Sequence, residues 1–451
     1  MKNKKYSEEI PSSLKGMHDL YNETYYAYQG LFEKAQEIAV YYGFKPLETP
    51  ILEKEEVFSR SLGIGTDILS KEIYNFRTKG GERVALRPEY TAVVMRSYLE
   101  NGMGSLPQPV MLYSYGPVFR HDNPQKGRLR EFRQFNLEIL GTEQSIADAI
   151  IIQTLISILK EFGFKDLIID INSIGDKADR VKYITELTNY YKKHLNKICK
   201  TCQTRINENP LRILDCKDEM CQPLKEFAPA SLNFLDTESK KHFKEVLQYL
   251  EGAGIEYRIN NALVRGIDYY SRTVFEVIKI DKETKTIKFL DKDGIEREKI
   301  EETGKEKEIT ICGGGRYDYL AEELGSKKSI PSVGAGLGFE RIRLFPECKD
   351  LHPKILKKPK IYFLQLGFEA RLKSLHILEI LRENKIPIYQ SLSKDSLSTQ
   401  LANVAKLNIP YCCIFGQKEA MSGTVIVRNM KTHSQDTIKI SELAEYLKDL
   451  K

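Results

Sequence analysis

The period of apolar and polar positions changes several times along the 451-residue chain. Over 24–43, apolar and aromatic side chains recur at helical spacing and stop at Gly43, which predicts a helix with a glycine at its end. FKPLETPILE (44–53) reads as a strand, and Pro46 and Pro50, which cannot donate to a sheet ladder, place it at an edge or interface. PQPVMLYSYGPVFRH (107–121) and EFRQFNLEILG (131–141) both have strand character, and the second sets Phe132, Gln134, Asn136 and Glu138 on one side. Between them DNPQKGRLR (122–130) is turn-forming and basic, so two antiparallel strands joined by a charged loop are expected. An amphipathic helix is predicted over 147–162 and a strand over 167–174. Residues 176–250 are polar and helical without a strand-rich run, which reads as a helical insertion in the sheet. Strand signals return over 263–280, and 281–309, dense in Lys, Glu and Asp around DKDG (291–294), reads as a solvated hairpin. After a boundary rich in Pro and Lys at 346–360, strand and helix alternate, with one helix over about 369–384. That alternation predicts a small α/β domain with a mostly parallel sheet over 361–451.

Composition adds bounds. Apolar residues make up 41% and charged residues 29%, ordinary for a globular protein, and the formal net charge of +6 is compatible with a polyanionic partner without requiring one. The N-terminus has charges and no apolar core, so no signal peptide is expected, and the longest apolar run, near 149–159, is too short and mixed to span a bilayer. The expected location is the cytoplasm. Eight cysteines, with Cys412 and Cys413 adjacent, do not match a small secreted disulfide framework. Cys199, Cys202, Cys216 and Cys221 are separated by two, thirteen and four residues. Four thiolates in two close pairs suit a closed structural zinc site, and four ordinary reduced cysteines are the alternative.

Candidate chemistry gathers in four segments. Arg120, His121, Lys126, Arg128 and Arg130 crowd the 120–130 loop, and Arg120 at its strand-borne base suits a planar fork gripping phosphate; a solvated hairpin tip is the plainer reading. Gln134 and Glu138 share a strand face, as a cationic or hydrogen-bonding ligand would need, or as the polar face of a sheet would show. LVRGIDYYSRTVFE (263–276) puts Arg265, Asp268, Tyr269 and Tyr270 around Gly266; Arg265 either faces a ligand or pairs with Asp268 or a nearby carboxylate. ICGGGRYDYL (311–320) sets three glycines before Arg316 and Tyr317, and PSVGAGLGFERIRL (331–344) alternates Gly334, Gly336 and Gly338 before Glu340 and Arg341. Glycine at every second position flattens one strand face, so either close helix packing or a ligand such as a stacked planar ring is expected there.

In order, these segments resemble the three signature motifs of class II aminoacyl-tRNA synthetases, and within that class the histidyl-tRNA synthetase family. The resemblance runs from SLKGMHD (13–19) to the C-terminus. FKPLETPILE looks like motif 1, with Pro50 as its dimer-interface proline; 113–141 looks like motif 2 and VGAGLGFERIRL like motif 3. LVRGIDYYSRTVFE and GGGRYD are the two segments peculiar to the histidine family. The resemblance implies an α+β catalytic domain over 1–345, an antiparallel sheet flanked by helices and interrupted by a 176–250 insertion. A linker over 346–360 and an anticodon-binding α/β domain over 361–451 would follow. It also implies an obligate homodimer that takes L-histidine, ATP with Mg2+ and histidine tRNA. In the family's pattern Glu89, Thr91 and Gln134 would hold the substrate amino group. Glu138 and Tyr270 would meet the imidazole, with Tyr269 and Tyr317 in the same histidine pocket. Arg120 and Arg265 would be catalytic at the α-phosphate, Arg341 would lie near the γ-phosphate, and Gln125 would meet the extra 5′ guanosine of the tRNA. No active-site metal ligand is implied. Tyr90 departs from the small residue usual between Glu89 and Thr91, which would reshape the pocket entrance. The nearest rival is a non-catalytic relative, the regulatory subunit of ATP phosphoribosyltransferase, which lacks the C-terminal domain that 357–451 supplies here.

Overall fold

In the computed structural model the chain forms two compact units, Met1–Pro353 and Lys354–Lys451. The structure describes residues 10–450 apart from 64, 65, 67, 126, 291–295, 349–350, 355–358 and 391–395, and the backbone alone over 282–306.

The first unit is built on an eight-stranded sheet in the order Lys45–Pro46, Val110–Phe119, Glu131–Leu140, Ser332–Gly338, Glu296–Arg316, Ser271–Leu290, Leu167–Ser173 and Tyr257–Ile259. Pairing is antiparallel except for the two short rim strands, each parallel to its neighbour. Alternation gives this sheet two chemically different faces. Phe135, Leu137 and Ile139, Val333, Ala335 and Leu337, and Phe275 and Val277 all point into one core. There they meet Leu31 and Ala35 of helix Asn22–Tyr41, Ile151 and Leu155 of helix Ile146–Glu161, and Phe243 and Val246 of helix Thr237–Gly252. The intervening residues line the opposite face, and that face carries the candidate site.

Several expectations change in the structure. The helix Ile146–Glu161 is not amphipathic: Ala147, Asp148, Ile151, Ile152, Thr154, Leu155 and Ile158 are all buried. It packs on the sheet and between helices Asn22–Tyr41 and Thr237–Gly252, so only a short arc meets solvent. FKPLETPILE is not one strand. Lys45–Pro46 pairs with Leu112–Tyr113 in the large sheet, whereas Leu52–Lys54 joins a separate three-stranded sheet with Arg83–Leu86 and Asn75–Arg77. The missing N–H groups of Pro46 and Pro50 interrupt any continuous ladder between them.

In the polar stretch after 176, helices Lys177–Lys192 and Lys200–Glu208 and the turn Pro210–Ile213 surround a small core of their own, including Tyr183, Leu187, Tyr191, Ile206 and Leu214. The final helix of that stretch, Thr237–Gly252, instead buries Phe243, Val246 and Leu250 in the main core. The backbone of Ser271–Leu290 and Glu296–Arg316 forms a long antiparallel hairpin, with the DKDG turn outside the described residues.

The second unit has five strands in the order Ile388–Gln390, Ile361–Gln365, Tyr411–Phe415, Thr424–Asn429 and Gln435–Lys439. The first three are parallel, but the last two add antiparallel, so the sheet is mixed and not mostly parallel. The reason is local: a short turn joins the last two strands, and a parallel pair would need a crossover. Cys412 and Cys413 are buried on opposite faces of one strand, as alternation requires.

Candidate active site

The polar face of the large sheet is organised by a register in which Gly334 stands opposite Glu138, Gly336 opposite Asn136 and Gly338 opposite Gln134. A β-carbon at Gly334 would overlap the Glu138 carboxylate, and one at Gly336 would overlap the Gln134 amide. Two of the three glycines therefore make room for polar side chains of the neighbouring strand; only at Gly338 does no atom lie within 4 Å of the added carbon. The triple glycine works the same way. Gly313 leaves space for the Arg265 guanidinium and Gly315 for the Tyr270 ring, and the pairing with the neighbouring strand shifts register between Gly315 and Arg316.

Glu138 is the centre of the cluster. Its Oε1 accepts from Thr91 Oγ1 at 2.7 Å and from the Asn136 amide, and its Oε2 accepts from the Tyr317 hydroxyl. Burial pushes its carboxyl up to about 8, against the opposing pull of these donors. Glu89 lies beside it, also buried, and accepts from the backbone N–H groups of Thr91 and Ala92 at 2.7 and 2.8 Å. It thus caps helix Thr91–Glu100. Burial raises its carboxyl as well. The Tyr269 hydroxyl donates to Glu89 Oε2 at 3.3 Å, and the Tyr269 ring packs 4.7 Å from Tyr270 and 5.7 Å from Tyr317. Gln134 donates from Nε2 to Asn136 Oδ1 at 3.2 Å, while its buried Oε1 has no hydrogen-bond partner among the described residues. Tyr90 is buried under the Arg87 guanidinium, 4.4 Å from its ring, and leaves the Glu89–Thr91 contact in place.

Arginines ring this cluster. Arg120 donates from Nε to Pro88 O at 2.9 Å and lies 5.4 Å over the Phe132 ring. Burial lowers its pKa, with Glu72 and Glu89 opposing. Arg265 donates from Nη1 to Glu276 Oε1 at 2.5 Å, and its Nε is buried without a hydrogen-bond partner among the described residues. Its carboxylate partner is Glu276 and not Asp268, which is held by Arg180 and Asn209. Arg341 follows Gly338 in the short helix Phe339–Ile342 and donates to Thr310 O at 3.0 Å. Burial lowers its pKa first and Arg128 next.

The structure thus brings Glu89, Thr91, Glu138, Tyr269, Tyr270 and Tyr317 together, sets Gln134 beside them, and sets Arg265 against Tyr270, 5.9 Å from its ring. Gln125 stands apart. It is exposed at the loop tip, where it exchanges backbone hydrogen bonds with Arg128 at 3.0 and 2.8 Å, and Lys126 lies outside the described residues. Glu276 carries no motif of its own; its signal in the chain is a carboxylate two residues along the face from Val274 in a strand leaving LVRGIDYY. Arg316 proves structural. It is fully buried, with Nε 3.1 Å from Asp148 Oδ2 and Nη1 3.2 Å from Asp318 Oδ1.

This sheet and the separate C-terminal unit agree with what matching known proteins gives. Residues 16–287 match the family model described as histidyl-tRNA synthetase, and 360–450 match the anticodon binding domain. The histidine-tRNA ligase of Caldicellulosiruptor saccharolyticus is 37% identical over 435 residues, 96% of this chain and 98% of the relative. That of Fervidobacterium nodosum is 37% identical over 438 residues, 97% and 98% of the two chains. The crystal structure of apo S. aureus histidyl-tRNA synthetase is similar with a TM-score of 0.74 at 29% identity, covering 98% of this chain and all of that one. The fold is that of an aminoacyl-tRNA synthetase. Within that class, the chain belongs to the histidyl-tRNA synthetase family.

Proposed function

We propose that this site activates L-histidine with ATP to histidyl-adenylate and diphosphate, then transfers histidine to the 3′ end of histidine tRNA. One observation carries the reading: six pocket residues from four separate segments converge in one bonded, aromatic-lined cluster, beside the unpartnered acceptor of Gln134. Gln134 Oε1, with Glu89 and Thr91, suits the substrate ammonium, which supplies the donor that Gln134 lacks. Glu138, Tyr270 and Tyr317 suit the imidazole, because its ring nitrogens pair with a carboxyl and hydroxyls that an apolar analogue would leave unpaired.

Attack of the histidine carboxylate on the α-phosphorus concentrates negative charge on the non-bridging oxygens. Arg120 and Arg265, held by Pro88 O and Glu276, would meet that charge without reorganising, and Arg341 would meet the γ-phosphate. Magnesium enters as part of the substrate, ATP with its bound cation. The 361–451 unit would read the anticodon and Gln125 the 5′ guanosine, in a cytoplasmic homodimer. Support for the dimer is the exposed apolar pair Ile51 and Leu52 beside Pro50 on the edge of the three-stranded sheet.

The test is histidine-dependent ATP–pyrophosphate exchange. The wild-type chain exchanges only with histidine present, and Glu138→Ala loses that dependence. A folded wild-type chain showing no histidine-dependent exchange would overturn the reading.

A further inference from the structure

The small core formed after residue 176 holds four cysteines that the aminoacylation site does not use. Cys199 is the N-cap of helix Lys200–Glu208, and Cys202 lies in its first turn. Cys216 follows the turn Pro210–Ile213, and Cys221 closes the turn Glu219–Cys221. Folding of two separate chain segments brings all four sulfur atoms within 4.8 Å of one another. None is in a disulfide. The Cys199 and Cys216 sulfurs lie 3.9 Å apart.

That spacing has a specific meaning. Four sulfurs at the corners of a tetrahedron, each about 2.3 Å from a central zinc, stand about 3.8 Å from one another. The surroundings of the four cysteines also resemble those of ligand sulfurs more than of free thiols. The Cys199 N–H donates to Cys221 Sγ at 3.3 Å and the Asp218 N–H to Cys216 Sγ at 3.5 Å. Backbone donors aimed at sulfur stabilise thiolate charge and orient the ligand. The Tyr191 hydroxyl, buried with no hydrogen-bond partner among the described residues, lies within electrostatic reach of Cys202 and Cys221. Cys202 and Cys221 are fully shielded from solvent, as a closed structural site requires.

We infer that Cys199, Cys202, Cys216 and Cys221 bind one structural zinc ion. An all-thiolate tetrahedral set selects zinc over oxygen-seeking cations such as magnesium or calcium. Its use follows from size, since a core this small supplies little stability by burial alone and a metal staples it. The staple also reaches the active site. Asn209 and Arg212 lie on the chain between the two cysteine pairs, where Asn209 donates to Asp268 and Arg212 sits 3.1 Å from where a Gly266 side chain would begin. Zinc therefore fixes the wall against which the Arg265 segment rests.

Elemental analysis of the full chain purified without chelator tests this; about one zinc per chain is expected. Cobalt(II) exchanged into the unmutated chain should give thiolate-to-cobalt charge-transfer absorption together with tetrahedral d–d bands. Cys216→Ser should lose most of the zinc and melt at lower temperature. Because that variant can fail to fold, the cobalt spectrum of the unmutated chain decides independently. Less than about a tenth of an equivalent of zinc with no cobalt charge-transfer band would overturn the site. So would stoichiometric iron in place of zinc, or a folded Cys216→Ser protein that keeps its full zinc.

Discussion

The Glu138 carboxylate occupies the space that a side chain at Gly334 would take, the two residues facing each other across adjacent strands. Gly334→Ala should therefore push Glu138 off Tyr317 and Thr91. The expected result is a KM for histidine raised by at least about tenfold and a stability loss of about 1–3 kcal/mol from overpacking. Gly338→Ala, whose β-carbon meets no atom within 4 Å, is the folding control. Histidine KM in pyrophosphate exchange beside urea unfolding checks both, and an unchanged KM in Gly334→Ala rejects the assignment.

If Arg265 meets the α-phosphate as proposed, Arg265→Ala removes a charge that acts mainly in the transition state. A fall in kcat of roughly 10²–10³, about 3–4 kcal/mol, is expected with little change in histidine KM. If Arg265 only anchors its strand through Glu276, the variant instead melts early and retains near-normal exchange. A folded variant within about threefold of wild type, roughly 0.7 kcal/mol, excludes the catalytic role.

The Glu138 carboxyl, raised to about 8 from an ordinary 4.5, makes stability depend on pH. The folded state holds this proton more tightly than the unfolded chain does. Its contribution is therefore complete below about pH 4.5, declines as pH rises, and is gone once pH passes the folded value near 8. Glu138→Gln cannot titrate. Its melting temperature, relative to wild type, should climb between pH 5 and pH 8 and level off above; a difference flat across that window contradicts the buried, neutral carboxyl.

Every residue of the active-site cluster lies in the first unit, Met1–Pro353. A chain ending at Pro353 is expected to keep pyrophosphate exchange within about threefold and to lose at least about tenfold in tRNA charging, chiefly through KM. Formal charge over 361–451 is only +3, twelve Lys+Arg less nine Asp+Glu, so base contacts should carry much of the loss. Unchanged charging by the shortened chain would remove the second unit from tRNA binding.

Arg316→Met leaves buried Asp148 with His242 at 3.4 Å and buried Asp318 with the more distant Arg272 guanidinium at 3.8 Å. A destabilisation of about 3–5 kcal/mol is expected in chemical denaturation. A loss below about 1 kcal/mol would show that the pair is dispensable.

Period was legible in the chain, and register was not. The row Gln134, Asn136, Glu138 and the row Gly334, Gly336, Gly338 both stand out by alternation, but nothing local says that they oppose each other, since strand pairing over two hundred residues is set by the whole sheet. The same limit hid Glu276 behind Asp268 as the partner of Arg265, and hid the Arg316–Asp148 pair, 168 positions apart. The helix Ile146–Glu161 looked two-sided because periodicity measures a segment's own faces and not how many neighbours will cover them. The pocket roles themselves came from resemblance; the residues alone left Glu138 equally readable as part of a wet sheet face.

Residues 264–270 carry Arg265 and two pocket tyrosines without belonging to any strand or helix. They are nonetheless splinted from outside: Arg180 donates to the Asp268 carbonyl at 2.7 Å and to its carboxylate, Asn209 reaches the same carboxylate, and Gly63 leaves room beneath it. The disorder such a segment would otherwise have is removed once, when the chain folds, and not afresh at each encounter with substrate. A change at Asn209, which reaches Asp268 and makes no hydrogen bond to the pocket cluster among the described residues, would then surface as slower chemistry with substrate contacts intact, the signature of a scaffold fault.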